Sequence, residues 1–159
     1  MYANTMRYRF LMLSLLLLIG QAPLRGDLLE QSFASWPIGN TNHDGWSVAG
    51  SATVVDDSWY TNRTPRSLQF PSAGVDSRLN LPDITNGLGT FAFYQYQPVL
   101  RATNIVFQKH LAGESWETLF TIPTTNAWTQ TELPVNQYGA NRFRLFLPGK
   151  LLGKGVIYF

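Results

Sequence analysis

From Trp46 to the last residue, the chain is broken every few residues by Gly, Pro, Asn or Asp, and apolar and polar residues alternate between the breaks. A period of two places successive side chains on opposite faces of an extended strand. The cleanest run is 142–147: Phe143, Leu145 and Leu147 face one way and Arg142 and Arg144 the other. A longer run, 89–98, opens after the turn dipeptide Asn86-Gly87 and closes at Pro98. Its Phe91, Phe93 and Gln95 share one face, and Ala92, Tyr94 and Tyr96 share the other. Beyond the first 22 residues no helical periodicity competes with this pattern.

The remaining runs predict further strands. These are 27–33, with Leu29 and Phe33 inward, then 46–48, 52–55 and 67–70. In 75–81 the residues on one side are Val75, Ser77, Leu79 and Leu81. In 103–111, Ile105 and Phe107 oppose Val106 and Gln108; runs at 116–122, 128–133 and 156–159 follow. Roughly ten short strands at turn spacing predict an all-β antiparallel β-sandwich, a jelly roll, built around 89–98.

The start of the chain reads differently. Arg7 and Arg9 precede an apolar stretch at 10–19, and Gly20-Gln21-Ala22 supplies small residues after it. A membrane span needs about 20 apolar residues, so the stretch fits a signal peptide over 1–22, its cut as late as 26. An uncleaved anchor is the alternative. The sandwich domain then occupies 27–159, and the protein is expected to be exported, secreted or at the cell surface.

Charge narrows the partners. Twelve Lys and Arg stand against ten Asp and Glu, and two of the cations lie in the leader. The chain after the leader is therefore neutral overall, with no overall field to draw it to nucleic acid. With no cysteine, it has neither disulfides nor thiolate metal sites, so its core alone must hold it. An exported domain of this kind leans toward a bacterial source. Once the leader is removed, no membrane span is expected. The oligomeric state is left open.

A further order of features runs along nearly the whole domain. Glu30 and Phe33 precede Gly45-Trp46, then Pro65-Arg66-Ser67-Leu68-Gln69-Phe70 and Gly87-Leu88-Gly89-Thr90-Phe91-Ala92-Phe93-Tyr94. Trp116-Glu117-Thr118-Leu119, Trp128-Thr129 and Arg142-Phe143-Arg144 complete it. This resembles the jelly-roll modules of bacterial surface proteins, the MAM-like, cleaved-adhesin and galactose-binding-like group. The resemblance implies an accessory module that binds a glycan or a cell-surface protein, and a structural calcium. Members of the group carry acidic residues after the last strand. This sequence ends at Phe159 without them, so the resemblance leaves two expectations: a domain cut short at its C-terminal end, or a copy that lost the feature.

Three sets of residues could carry chemistry. Asn40, Asn42 and Asp44 place side-chain oxygens at alternate positions before Gly45, the first half of a calcium loop. Ser51 stands where the helix-loop-helix version needs Glu, and an Asx-rich turn explains the same residues. Glu30 joins the calcium set by resemblance; no cofactor is required otherwise. Asp56 with Asp57, or Glu114 with Glu117, could form a hydrolytic carboxylate pair, or be solvated turn residues. His43 and His110 fall in no ligand or triad spacing and read as surface residues.

The third set is aromatic. Sugar rings stack on flat aromatic faces beside amide and guanidinium donors. If Tyr94, Tyr96, Gln108, Arg142 and Arg144 line one sheet face, they make such a platform. Otherwise Trp116 and Trp128 belong to the core and the tyrosines cover sheet edges. The expected function is a non-catalytic, carbohydrate-binding or adhesive module. A jelly-roll polysaccharide-active enzyme and a purely structural domain are the alternatives.

Overall fold

The protein is described by a computed structural model covering residues 33–39, 42–56, 66–71, 75–98, 104–111, 113, 115–149 and 156–159. The leader, Glu30, Asn40 and residues 27–32 of the strand expected over 27–33 lie outside the described residues. A 3-10 turn at Phe33–Ser35 precedes β1 (Asn42–His43), β2 (Trp46–Gly50), β3 (Thr53–Val55), β4 (Ser67–Pro71) and β5 (Ser77–Asn80). Next come β6 (Leu88–Gln95), β7 (Asn104–His110), β8 (Trp116–Pro123), β9 (Thr129–Gln137), β10 (Phe143–Leu147) and β11 (Val156–Tyr158). No helix among the described residues is long and apolar enough to cross a membrane.

The fold is an all-β antiparallel sandwich. One sheet has six strands in the order β1-β2-β5-β10-β7-β8. Opposite it lie β11-β4-β3 and the pair β6-β9, joined by a bridge between Tyr96 and Tyr158. The alternation seen in the sequence sets the faces. Val48, Leu79, Phe143, Leu145, Leu147, Ile105 and Phe107 are buried from the six-stranded sheet. Val54, Leu68, Phe70, Phe91, Leu133, Val135 and Ile157 are buried from the other layer. Phe91 stacks on Phe107 at 4.9 Å between ring centres, and Phe107 stacks on Phe143 at 5.6 Å. Each such buried side chain contributes about 1.5–3 kcal/mol.

Three local expectations are corrected. Phe33 does not continue a strand: the Trp36 N–H bonds back to its carbonyl at 3.1 Å, and its ring meets Trp36 edge-on. Trp36 is fully buried, so closing the turn seats an indole in the core. Val75 is 56% exposed rather than inward. It precedes β5 in a turn whose carbonyl accepts from the Ser51 hydroxyl, so the alternation begins only at Ser77. Lastly, β6 does not organise the sandwich. It pairs along its length with β9 alone, because the short β11 reaches it only at Tyr96, while β5 and β10 hold the middle of the larger sheet.

The tightest of the close approaches that require glycine is at Gly50. Gly50 has φ +74°, and a Cβ there would lie 1.8 Å from the Asp76 carbonyl oxygen. The contact lets the Ser51 N–H bond that carbonyl at 3.0 Å, and the Ser51 and Ser77 hydroxyls meet at 2.8 Å. This corner fixes where β2 and β5 enter the sheet.

Candidate functional site

The outer face of the six-stranded sheet is built by the residues that alternate away from the core. Ser47 of β2 lies opposite Asn80 of β5, and Asn80 opposite Arg144 of β10. Arg144 faces Gln108 of β7, and Gln108 faces Thr118 of β8. Directly opposed residues share a face, so these five side chains form one row across five strands. At the usual strand spacing the row is roughly 19 Å long.

Hydrogen bonds hold the row. The Asn80 amide donates to the Ser47 hydroxyl at 2.9 Å. Arg144 Nε donates to Gln108 Oε1 at 2.8 Å, and Gln108 Nε2 donates to Thr118 Oγ1 at 3.0 Å. Arg144 has only donors, so the Gln108 carbonyl must face it and the amide nitrogen must face Thr118. Gln108 is buried in its place, and the other four are half-buried or exposed.

Aromatic side chains flank the row on the same face. The Arg144 guanidinium lies 3.9 Å from the centre of Trp116 and 4.7 Å from that of Phe146. His110 meets Trp116 edge-on at 5.0 Å. Burial, and then the charge of Arg78, pull the Arg144 pKa down to about 10; Asp76 opposes them. The guanidinium is therefore still charged at neutral pH, in surroundings that do not favour the charge.

The carboxylates beside this face are already engaged. Asp76 Oδ2 lies 3.7 Å from Arg78 Nη2, and its Oδ1 accepts from the Gly149 N–H at 2.9 Å. Asp83 Oδ1 lies 3.5 Å from Arg142 Nε at the end of β10.

The expected platform is thus divided. Gln108 and Arg144 are in contact, with Arg142 at the margin of the same sheet. Tyr94 and Tyr96 belong to the other layer. The Tyr94 hydroxyl donates to Gln130 Oε1 at 3.0 Å, and Gln130 donates to Glu132. Tyr96 leans on Trp128 at 5.5 Å. Trp116 is not core: it is half-buried beside Arg144. Phe146, Asn80, Arg78 and Ser47 were missed because the outward positions of a short strand look like ordinary surface until register aligns them. The spacing of Arg144 and Phe146, two apart and so on one face of a strand, was the one available signal.

Asp44 and Gly45, with φ of +48° and +81°, form the two-residue turn between β1 and β2. This mirror-image turn selects Asp-Gly, which accounts for that composition. The Asp44 carboxylate contacts His43 Nε2 at 3.3 Å, and Asn42 pairs with Ser47 in the hairpin. Of the expected calcium set only Asn42 and Asp44 fall among the described residues, and both belong to this hairpin. Among the described residues no group of three or more His, Cys, Asp or Glu could hold a metal. Ser35 Oγ also contacts His43 Nε2, at 3.2 Å. Serine and aspartate thus meet one nitrogen, whereas a proton relay needs both. Asp56 and Glu117 are exposed, and their partners Asp57 and Glu114 lie outside the described residues.

No protein-family model matches the chain, and no curated protein matches it. Solved structures do. The carbohydrate-binding module TmCBM61, in complex with β-1,4-galactotriose, superposes with a TM-score of 0.52 at 13% identity, over 72% of this chain and 83% of that one. The enzymatically active domain of bacteriophage CBA120 tailspike protein 4 gives 0.50 at 11% identity, over 86% of this chain and 21% of that one. A family 16 carbohydrate-binding module gives 0.46 at 13% identity, over 67% of this chain and 79% of that one. At these identities the likeness establishes the β-sandwich fold.

Proposed function

We propose that the chain is an exported carbohydrate-binding module that holds a glycan, without turnover, across the outer face of its six-stranded sheet. One observation carries the reading: the row of Ser47, Asn80, Arg144, Gln108 and Thr118, hydrogen-bonded as Ser47–Asn80 and as Arg144–Gln108–Thr118, beside Trp116. A sugar offers hydroxyls that both donate and accept, and a hydrophobic ring face. The row offers amide, hydroxyl and guanidinium groups on a rigid sheet, and Trp116 offers the aromatic plane. Gln108 ties three strands together, so the donors are fixed before a ligand arrives. The fold shared with a module solved with β-1,4-galactotriose supports the reading. The engaged state of Asp76 and Asp83 supports binding over hydrolysis, which requires two opposed carboxylates.

The test is a glycan array probed with the purified chain and with Trp116→Ala and Asn80→Ala. Binding that falls at least tenfold in Trp116→Ala, with the thermal midpoint kept, supports the proposal. Equal binding by both variants would remove this face as the site. Shortening of a bound polysaccharide on incubation would favour an enzyme instead.

A further inference from the structure

The same face carries one charge that, among the described residues, has no carboxylate of its own within ion-pair distance. Three arginines sit on it or at its margin. Arg78 is matched by Asp76 and Arg142 by Asp83. Among the described residues, no carboxylate lies within ion-pair distance of Arg144. Its Nε is committed to Gln108, which leaves the two terminal nitrogens of the guanidinium for other work. Trp116 and Phe146 fix the plane of that fork. Arg78 lies on the neighbouring strand, opposite Phe146, and so diagonal to Arg144, a spacing of roughly 7–8 Å between residue positions.

A pinned, half-buried guanidinium with a like charge beside it is an unfavourable arrangement on its own. A bound anion reverses the balance, because a carboxylate or sulfate accepts two parallel N–H bonds from one guanidinium. We infer that the glycan held on this face is anionic, a polysaccharide bearing carboxylate or sulfate groups, with Arg144 gripping the anion and Arg78 adding a second positive charge nearby. The inference rests on the proposed glycan-binding reading and specifies its ligand class. The lowered pKa of Arg144, caused first by burial and then by Arg78, agrees with it.

The experiment measures binding of the full chain to polygalacturonate, dextran sulfate and neutral β-1,4-galactan, at low and high salt. Wild type is compared with Arg144→Gln, Arg144→Lys and Arg78→Gln. One or both anionic polymers should bind at least tenfold tighter than the neutral one, as expected of one charge-assisted contact. Arg144→Gln should remove that preference, Arg144→Lys should restore only part of it, and salt should weaken it. Preference for polygalacturonate identifies a uronate ligand, and preference for dextran sulfate a sulfated one. If neutral galactan binds as well as the anionic polymers, or Arg144→Gln keeps the preference, the anion assignment falls while the glycan reading stands. If none of the three binds, both fall. Should Arg144→Gln not fold, Arg78→Gln decides: a reduced anionic preference supports the inference, and an unchanged one overturns it.

Discussion

If Arg144 is placed for a ligand rather than for the fold, Arg144→Met should change stability little. The guanidinium gains a hydrogen bond to Gln108, and a bond to a charged group is worth about 1.5–3 kcal/mol, roughly halved by its partial exposure. Contacts with Trp116 and Phe146 add about 0.5–1 kcal/mol each. Against these stand burial of the charge and repulsion from Arg78. Arg78 stands diagonal to Arg144 across the strand pair, and two like charges separated by that residue spacing, about 7–8 Å, would repel by roughly 2 kcal/mol at an effective dielectric near 20. Methionine keeps the stem and restores contacts of about 0.3–1.5 kcal/mol between sulfur and rings. The net change should lie within about 1 kcal/mol of zero. Urea unfolding of both proteins measures it, with the slope checked for equality. A loss above about 3 kcal/mol would show that the arginine is a structural element and would refute the reasoning.

Other substitutions test the frame. Gly50→Ala should cost at least about 2 kcal/mol, because the new methyl meets the Asp76 carbonyl at a backbone angle alanine avoids; thermal unfolding reads it. Phe107→Ala should cost about 3–5 kcal/mol in urea unfolding, since it empties the centre of the Phe91–Phe107–Phe143 stack. Binding to polygalacturonate should be flat from about pH 8 to 9, where Arg144 stays charged, and fall below about pH 3.5 as the uronates protonate. Binding to dextran sulfate should be free of that loss of ligand charge, and calorimetry at each pH compares the two.

Much of the fold was legible in period-two alternation, because the inner face of a strand must be apolar. Phe143, Leu145, Leu147, Ile105 and Phe107 are buried as that pattern requires. The sequence did not show pairing. Whether Arg144 lies beside Gln108 or Tyr94 depends on strand order, and alternation is the same for every order. Accordingly Gln108 and Arg144 meet, while Tyr94 and Tyr96 lie in the opposite layer. Trp116 was ambiguous for a related reason. An indole suits a core or a sheet surface equally, and only the register of β7 with β8 puts it beside His110. The Asn42 to Gly45 segment shows the converse: the same oxygens serve a calcium loop or a tight hairpin, and local backbone angles distinguish the two.

A glycan held on the outer face of the six-stranded sheet would mark the residues of that face. Titration of isotope-labelled protein with polygalacturonate oligomers, followed by nuclear magnetic resonance, locates it directly. The account predicts shift changes at Asn80, Gln108, Trp116, Thr118 and Arg144. Changes confined to Tyr94, Tyr96, Trp128, Gln130 and Glu132 would contradict it.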